Sequence, residues 1–299
     1  MNLVLTGSLG NIGEPLTRQL VQKGHTVTVI SSNPERQQAI ETLGAKAAIG
    51  TILDIDFLTD TFSGADVVFL MEAMAPSSLF DPTLDIIKAY SDMAERYKQA
   101  VERSGVRKVI HLSSIGAHTT EGNGVLAMHY YAEQILNQLP DDVSIKFMRP
   151  VGFFSNLYRS VRTIKMQGVI ISNYGGDAKE PWVSPIDIAT AVAEEMETPF
   201  AGRTIRYMAS DDVSPNEIAQ ALGEAIGKPD LQWVAIPDDE LLNGMTSMGM
   251  NPQIAKGFVE MQAAQGTGAL YEDYYKYQPT LGKTKLHHFA QDFVKAFNQ

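Results

Sequence analysis

The stretch "TGSLGNIG", residues 6–13, directly follows the apolar run Leu3-Val4-Leu5. A short strand, then glycines at 7, 10 and 13, then a helical period is the opening of a βαβ unit whose turn lets a phosphate approach the backbone. In that reading Gly7 permits the tight turn, Gly10 the approach of a pyrophosphate, and Gly13 the packing of helix on strand. The helix that follows places Ile12, Leu16 and Leu20 on one face, with Pro15 in its opening turn and Gly24 at its stop. Phosphates then meet the positive helix end and its free N–H groups. The competing reading is a tight strand-to-helix turn that holds no ligand.

Outward from this loop, residues 1–150 alternate strand-like and helical runs. Strands are expected at 2–5, 26–31, 45–50, 66–71, 108–112 and 143–148, and helices at 12–23, 34–43, 82–104 and 127–139. Such alternation means an α/β fold, a Rossmann-type doubly wound parallel sheet with right-handed crossovers. Later strands are expected at 169–172, 204–207 and 231–235, and helices at 186–195, 216–226, 238–248, 252–265 and 284–297. Residues 1–150 therefore form a dinucleotide-binding domain that takes back about 181–210, while 151–180 and 211–299 form a smaller, mostly helical substrate lobe. The Tyr- and Gly-rich stretch 266–281 reads as a long loop, either a lid or a surface connector.

The 299 residues carry 24 basic and 35 acidic side chains, a net charge of −11. No basic cluster is present to neutralise phosphates, so no nucleic-acid surface is expected. The absence of cysteine excludes a disulfide framework and a thiolate nucleophile. No two-His-carboxylate spacing occurs, so no metal site is expected. Apolar runs are strand-length, and the first residues show no targeting pattern; a cytoplasmic protein without a membrane span is the expectation.

The end of the second strand bears on which dinucleotide is bound. An NAD site places Asp or Glu there to accept the ribose 2′-hydroxyl. Here the residues are Ser31-Ser32-Asn33-Pro34-Glu35-Arg36. Neutral donors and a nearby guanidinium suit a 2′-phosphate, and Glu35 is expected to turn away into a helix. NADP(H) is favoured, with NAD(H) also possible.

Four segments together carry a family likeness: "TGSLGNIG" at 6–13, "SSIGA" at 113–117, "MRPVGFFSNL" at 148–157 and "PWVSPIDIATAVAEEM" at 181–196. The chain resembles, over residues 1 to about 230, the NmrA-like branch of atypical short-chain dehydrogenases/reductases. That resemblance implies a Rossmann-type fold, and either NADPH-dependent reduction of quinones, enones and carbonyl compounds or non-catalytic NADP sensing. It also implies positions. Gly7, Leu9, Gly10, Asn11 and Ile12 fall in the phosphate loop, and Ser32, Asn33 and Arg36 at the 2′-phosphate. Leu70 and Met71 fall beside adenine and ribose. Ser113 falls beside the nicotinamide, and Pro150, Val151, Gly152 and Phe153 in the loop packing on that end.

The catalytic pattern of the wider superfamily, a Tyr with a Lys four residues later, is missing. The corresponding helix reads "MHYYAEQIL" at 128–136, with Gln134 after Tyr130 and Ile135 after Tyr131. Some NmrA-like members set a His or Lys four residues ahead of a Glu, and His129 and Glu133 match that version. His129, which titrates near neutrality, is then the candidate proton donor, oriented by Glu133; Tyr130 is a second candidate. A His–Glu pair that only anchors the helix is the alternative. Phe153, Phe154 and Trp182 are expected to line an apolar pocket. The leading function is an NAD(P)H-dependent oxidoreductase acting on a small apolar quinone, enone or carbonyl compound. The alternative is an NADP-binding redox sensor that signals to a protein partner. A nucleotide-sugar epimerase fits less well, since those enzymes keep the Tyr–Lys pair.

Overall fold

The structure, a computed structural model, describes residues 1–299. The apolar runs of the first half become parallel strands β1 (Asn2–Leu5), β2 (Thr26–Ser31), β3 (Lys46–Ile49), β4 (Val67–Leu70), β5 (Lys108–Leu112) and β6 (Ser144–Pro150). Between them run α1 (Gly13–Gln22), α2 (Gln37–Thr42), α3 (Ile55–Phe62), α4 (Ile86–Ser104) and α5 (Ala127–Leu136). Runs such as Val67–Leu70, buried throughout, suit strands covered on both faces.

Beyond Pro150 come β7 (Gly152–Phe153), α6 (Val161–Gln167), β8 (Val169–Ser172), β9 (Glu180–Val183), α7 (Pro185–Glu197) and β10 (Arg203–Met208). Then follow β11 (Asp211–Val213), α8 (Pro215–Ala225), β12 (Gln232–Ala235), α9 (Asp238–Ser247), α10 (Pro252–Thr267), α11 (Glu272–Tyr277) and α12 (Leu286–Phe297).

Seven strands make one parallel sheet in the order β10-β6-β5-β4-β1-β2-β3. The chain winds outward from β1 to β3, then crosses back to place β4 on the other side of β1. In open sheets of this order, ligands bind at that reversal, beyond the carboxyl ends of β1 and β4. One face of the sheet is covered by α1 and α7, packing Leu16, Leu20 and Val192 against Leu3, Leu5 and Ile110. On the other face Leu58, Phe62, Tyr97 and Leu136 cover Val4, Val68 and Val109.

The second half holds more strand than the helical pattern suggests. A three-stranded sheet, β11-β9-β7, and a parallel pair, β12-β8, sit beneath the helices of the lobe. Of these, β8 and β12 lie where strands were expected, whereas β7, β9 and β11, two to four residues long, are too short for periodicity to reveal. The segment 266–281, expected as a loop, is largely helical: α10 runs to Thr267, a tight turn spans Ala269–Tyr271, and α11 follows. Leu270, Tyr271 and Tyr274 are buried in the main core, which fixes the segment in place. No helix is long and apolar enough to cross a membrane.

Candidate functional site

The glycine loop follows β1 at this reversal of strand order, and each glycine answers a different constraint. Gly7 has φ +88°, and a Cβ there would stand 2.3 Å from Met71 Sδ. Gly13 is required by the loop rather than by helix-on-strand packing, since its Cβ would stand 1.9 Å from the Ser8 carbonyl oxygen. Ser8 itself adopts φ +56°, a conformation few side chains tolerate. It is tied to β2 by its N–H donating to Ile30 O at 3.1 Å and its hydroxyl to Ser31 Oγ at 2.9 Å. Above Gly10 there is room: the nearest atom to its Cβ position is Gly7 O at 3.7 Å. The backbone N–H groups of Leu9, Gly10, Asn11 and Ile12 donate to no backbone or side-chain oxygen. Four free donors at a helix start, beside open space, fit a pyrophosphate.

At the end of β2, Ser32, Asn33, Glu35 and Arg36 are all exposed, so an acid stands beside the guanidinium although none is at position 31. Asn33 is partly committed, since its amide oxygen accepts from Glu35 N at 2.9 Å and caps the turn Pro34–Arg36. At the end of β4 the Leu70 side chain is fully buried in the core, and Met71 alone flanks the loop. Thr6 Oγ1 accepts from Met71 N and Tyr97 donates its hydroxyl to Met71 O, both at 2.8 Å, so this strand end is pinned.

Along the α5 side of the sheet runs a buried polar chain. Ser113 donates to Glu133 Oε1 at 2.5 Å. Arg149, on β6, donates Nε to Oε1 at 2.9 Å and Nη2 to Oε2 at 2.6 Å of the same carboxylate. Its Nη1 donates to the Tyr207 hydroxyl at 3.1 Å, and Tyr207 donates to Asp273 on α11 at 2.6 Å. Glu133 therefore does not orient His129. The two share a helix face by spacing, but Glu133 turns to the strand ends while His129 turns toward α4. There its ring lies edge-on to Tyr90, with centroids 5.3 Å apart.

Burial pushes His129 down to about 4; Glu72 opposes the shift and His111 adds to it. Its imidazole is neutral at pH 7, and its Nδ1 is enclosed without a partner. This corrects the expectation of a group poised near neutrality. Tyr130 is half-buried and lies edge-on to Tyr131 at 5.5 Å.

Two polar centres escape the sequence reading. His111 Nε2 meets both oxygens of Glu72, at 3.1 and 3.0 Å, with both side chains fully buried. Burial raises the Glu72 carboxyl, but His111, with smaller help from His129 and a backbone hydrogen bond, leaves the group below its usual range. A histidine inside the apolar strand "KVIHL" was the available signal. The second centre is Glu180, which accepts from the Tyr271 hydroxyl at 2.7 Å, the Tyr174 hydroxyl at 3.0 Å and Trp182 Nε1 at 3.1 Å. Burial holds this carboxyl above its ordinary range despite the three donors.

The loop after β6 is well anchored. Pro150 O accepts from Ile115 N at 2.8 Å, and Val151, itself buried, donates to Met208 O at 3.1 Å. A Cβ on Gly152 would meet the Trp182 ring and Gln265 Nε2 at 3.8 Å. Phe153 is half-buried, but Phe154 and Trp182 do not line a pocket. Their rings stack 5.8 Å apart in the core of the lobe, with Phe289 stacked on Phe154 at 5.3 Å.

A loop that can hold a pyrophosphate thus stands beside strand ends rich in fixed polar groups. The chain has relatives and structural neighbours of the same build. An uncharacterised protein of Schizosaccharomyces pombe is 25% identical over 251 residues, 77% of this chain and 82% of that protein. The crystal structure of an NADPH-dependent quinone oxidoreductase from Escherichia coli, complexed with NADPH, superposes with a TM-score of 0.80 at 18% identity, covering 97% of this chain and 99% of that one. A nucleoside-diphosphate-sugar epimerase from Staphylococcus aureus superposes with a TM-score of 0.77 at 17% identity, covering 97% and 100%. At these identities the structural likeness speaks for the fold. Residues 7–199, well over half of the chain, match the model of an NAD(P)H-binding family, and the chain belongs to that family.

Proposed function

We propose that this protein is an NADPH-dependent reductase of small quinones and related enones rather than of simple ketones. The observation that carries the reading is the set of four free N–H donors over open space at Leu9–Ile12, next to a β2 end that offers Ser32, Asn33 and Arg36 and no acid at position 31. Backbone donors and the α1 dipole hold the pyrophosphate; Arg36 and the neutral donors hold the 2′-phosphate. When bound there, the reduced nicotinamide supplies hydride.

The substrate class follows from what the site does not offer. Hydride transfer to a ketone builds a strongly basic alkoxide and needs an acid in the transition state. Neither expected donor is set up as that acid: burial lowers His129 to about 4, and Tyr130 has Gln134 where an activating Lys would stand. A quinone yields a far less basic phenolate, which solvent can protonate afterwards. The Escherichia coli neighbour, a quinone oxidoreductase of the same fold, supports this class.

The same missing acid favours a second reading, a non-catalytic NADP-binding sensor. NADPH oxidation with a small benzoquinone separates the two. Turnover supports the reductase, while tight NADPH binding without turnover of any quinone or enone supports the sensor.

A further inference from the structure

Helix α10 runs back along the segment that leaves β7. At one end Gln265 Nε2 stands 3.8 Å from the Cβ position of Gly152; at the other the Arg159 guanidinium lies over the Phe258 ring, 5.8 Å from its centroid. Residues 258, 262 and 265 are spaced i, i+4, i+7 and share one face of the helix. The two contacts therefore bound a seam between α10 and residues 152–160, about 10 Å long at the rise of an α-helix. Phe153, Phe258, Gln262 and Gln265 are half-buried along it. The Gly152 end follows the carboxyl end of β6, on the edge of the sheet where ligands bind. There Gln265 is held in place, its Nε2 donating to the Tyr271 hydroxyl at 3.3 Å and Tyr271 donating to Glu180 at 2.7 Å.

Two polar groups on this seam lack partners. Arg159 has one flank in solvent, yet crowding by the protein pulls its guanidinium below the ordinary arginine value, and no carboxylate offsets the loss. Burial acts on Arg149 in the same direction, but there Glu133 and Tyr207 outweigh it. A partly desolvated charge without a partner is costly, and a chain of net charge −11 does not lack acids to supply one. Between the two contacts, Gln262 Oε1 is enclosed and accepts from nothing, a cost of the same kind. We infer that this seam receives the substrate, and that Arg159 makes it selective for planar quinones carrying an acidic group, a carboxylate or sulfonate, at the end away from the reducible ring. The inference rests on the reductase reading above and names the substrates of that site. The reducible ring lies toward Gly152 and the acidic group against Arg159, whose N–H edge is suited to a two-bond contact with an anion. Gln262 is left to accept from a hydroxyl on the ligand ring.

The test measures NADPH-dependent reduction of 1,4-naphthoquinone-6-sulfonate beside uncharged 1,4-naphthoquinone on the full chain. Arg159→Gln should raise KM for the sulfonate about tenfold, the worth of one hydrogen bond to a charged group. Its kcat should be nearly kept, and KM for the uncharged quinone should change much less. Arg159→Lys, which keeps the charge but not the planar fork, should recover part of the loss. A sulfonate KM that does not change in Arg159→Gln, or a KM that rises equally for both quinones, overturns the inference. A parent that reduces neither quinone overturns the reductase reading instead, and calorimetry with naphthalene-2-sulfonate then decides the seam on its own. Binding that Arg159→Gln abolishes supports the anion site. No binding to the parent, or binding that Arg159→Gln leaves unchanged, overturns it.

Discussion

Arg149 on β6 and Glu133 on α5 meet as a two-bond pair, at 2.9 and 2.6 Å, with side chains 5% and 3% exposed. Such a pair, taken out of water, is costly to break from one side because the other charge is left buried and alone. Arg149→Met or Glu133→Leu alone should therefore destabilise the protein by about 3–5 kcal/mol in urea unfolding. The double substitution, which removes both charges, should cost clearly less than the two single losses added together. Additive losses would mean that the two groups act independently.

The glycines of the loop should separate fold from binding. Gly13→Ala drives a methyl against the Ser8 carbonyl and should lower stability by about 1–3 kcal/mol. Gly10→Val meets nothing closer than 3.7 Å at its Cβ, so melting should stay near that of the parent. Dinucleotide binding should nevertheless vanish, because the branched side chain fills the space that the pyrophosphate needs. Retained binding in Gly10→Val would mean that the loop is only a turn.

His129 supplies a pH signature. Its folded value, about 4, lies below the ordinary histidine value near 6.5. Between these values the unfolded chain binds a proton that the folded chain refuses, so stability is present above pH 6.5 and falls as the pH drops toward 4. The loss between pH 7 and 5 should be of order 1–2 kcal/mol. His129→Phe, packed against Tyr90, should flatten this limb in chemical unfolding at the two pH values. An unchanged slope in that variant would place the acid sensitivity elsewhere.

The parallel half of the fold was legible because its signals are local. Buried strands read as apolar runs, α1 keeps its 3.6 period, and the glycine loop follows β1 directly. The helix α3 escaped although Asp54 caps it, its side chain accepting from Phe57 N at 3.0 Å. Glycine and tyrosine disguised α11 as a loop; what makes it a helix is the packing of Tyr271 and Tyr274 into a core built by distant strands. Of the candidate site, the glycine turn after β1 was readable and the polar chain was not. Glu133 finds Arg149 sixteen residues away, and His111 finds Glu72 thirty-nine away. Spacing within one helix paired Glu133 with His129, and only the arrangement of strands decides otherwise.

Cofactor choice should depend on Arg36, exposed at the end of the turn after β2. NADPH should bind at least about tenfold tighter than NADH, a difference of about 1.4 kcal/mol. Arg36→Ala should remove most of that preference while leaving NADH affinity nearly unchanged. Equal affinities in the parent would contradict the 2′-phosphate assignment.

The measurement that bears most directly on the proposed reductase is steady-state oxidation of NADPH by the purified protein with a small benzoquinone, run beside a simple ketone. The account predicts turnover with the quinone, little or none with the ketone, and a quinone rate that largely survives both His129→Ala and Tyr130→Phe, since neither group is placed as an acid. Ketone reduction as fast as quinone reduction, or a quinone rate that collapses by the 10²- to 10⁴-fold typical of a lost general acid in either variant, would contradict it.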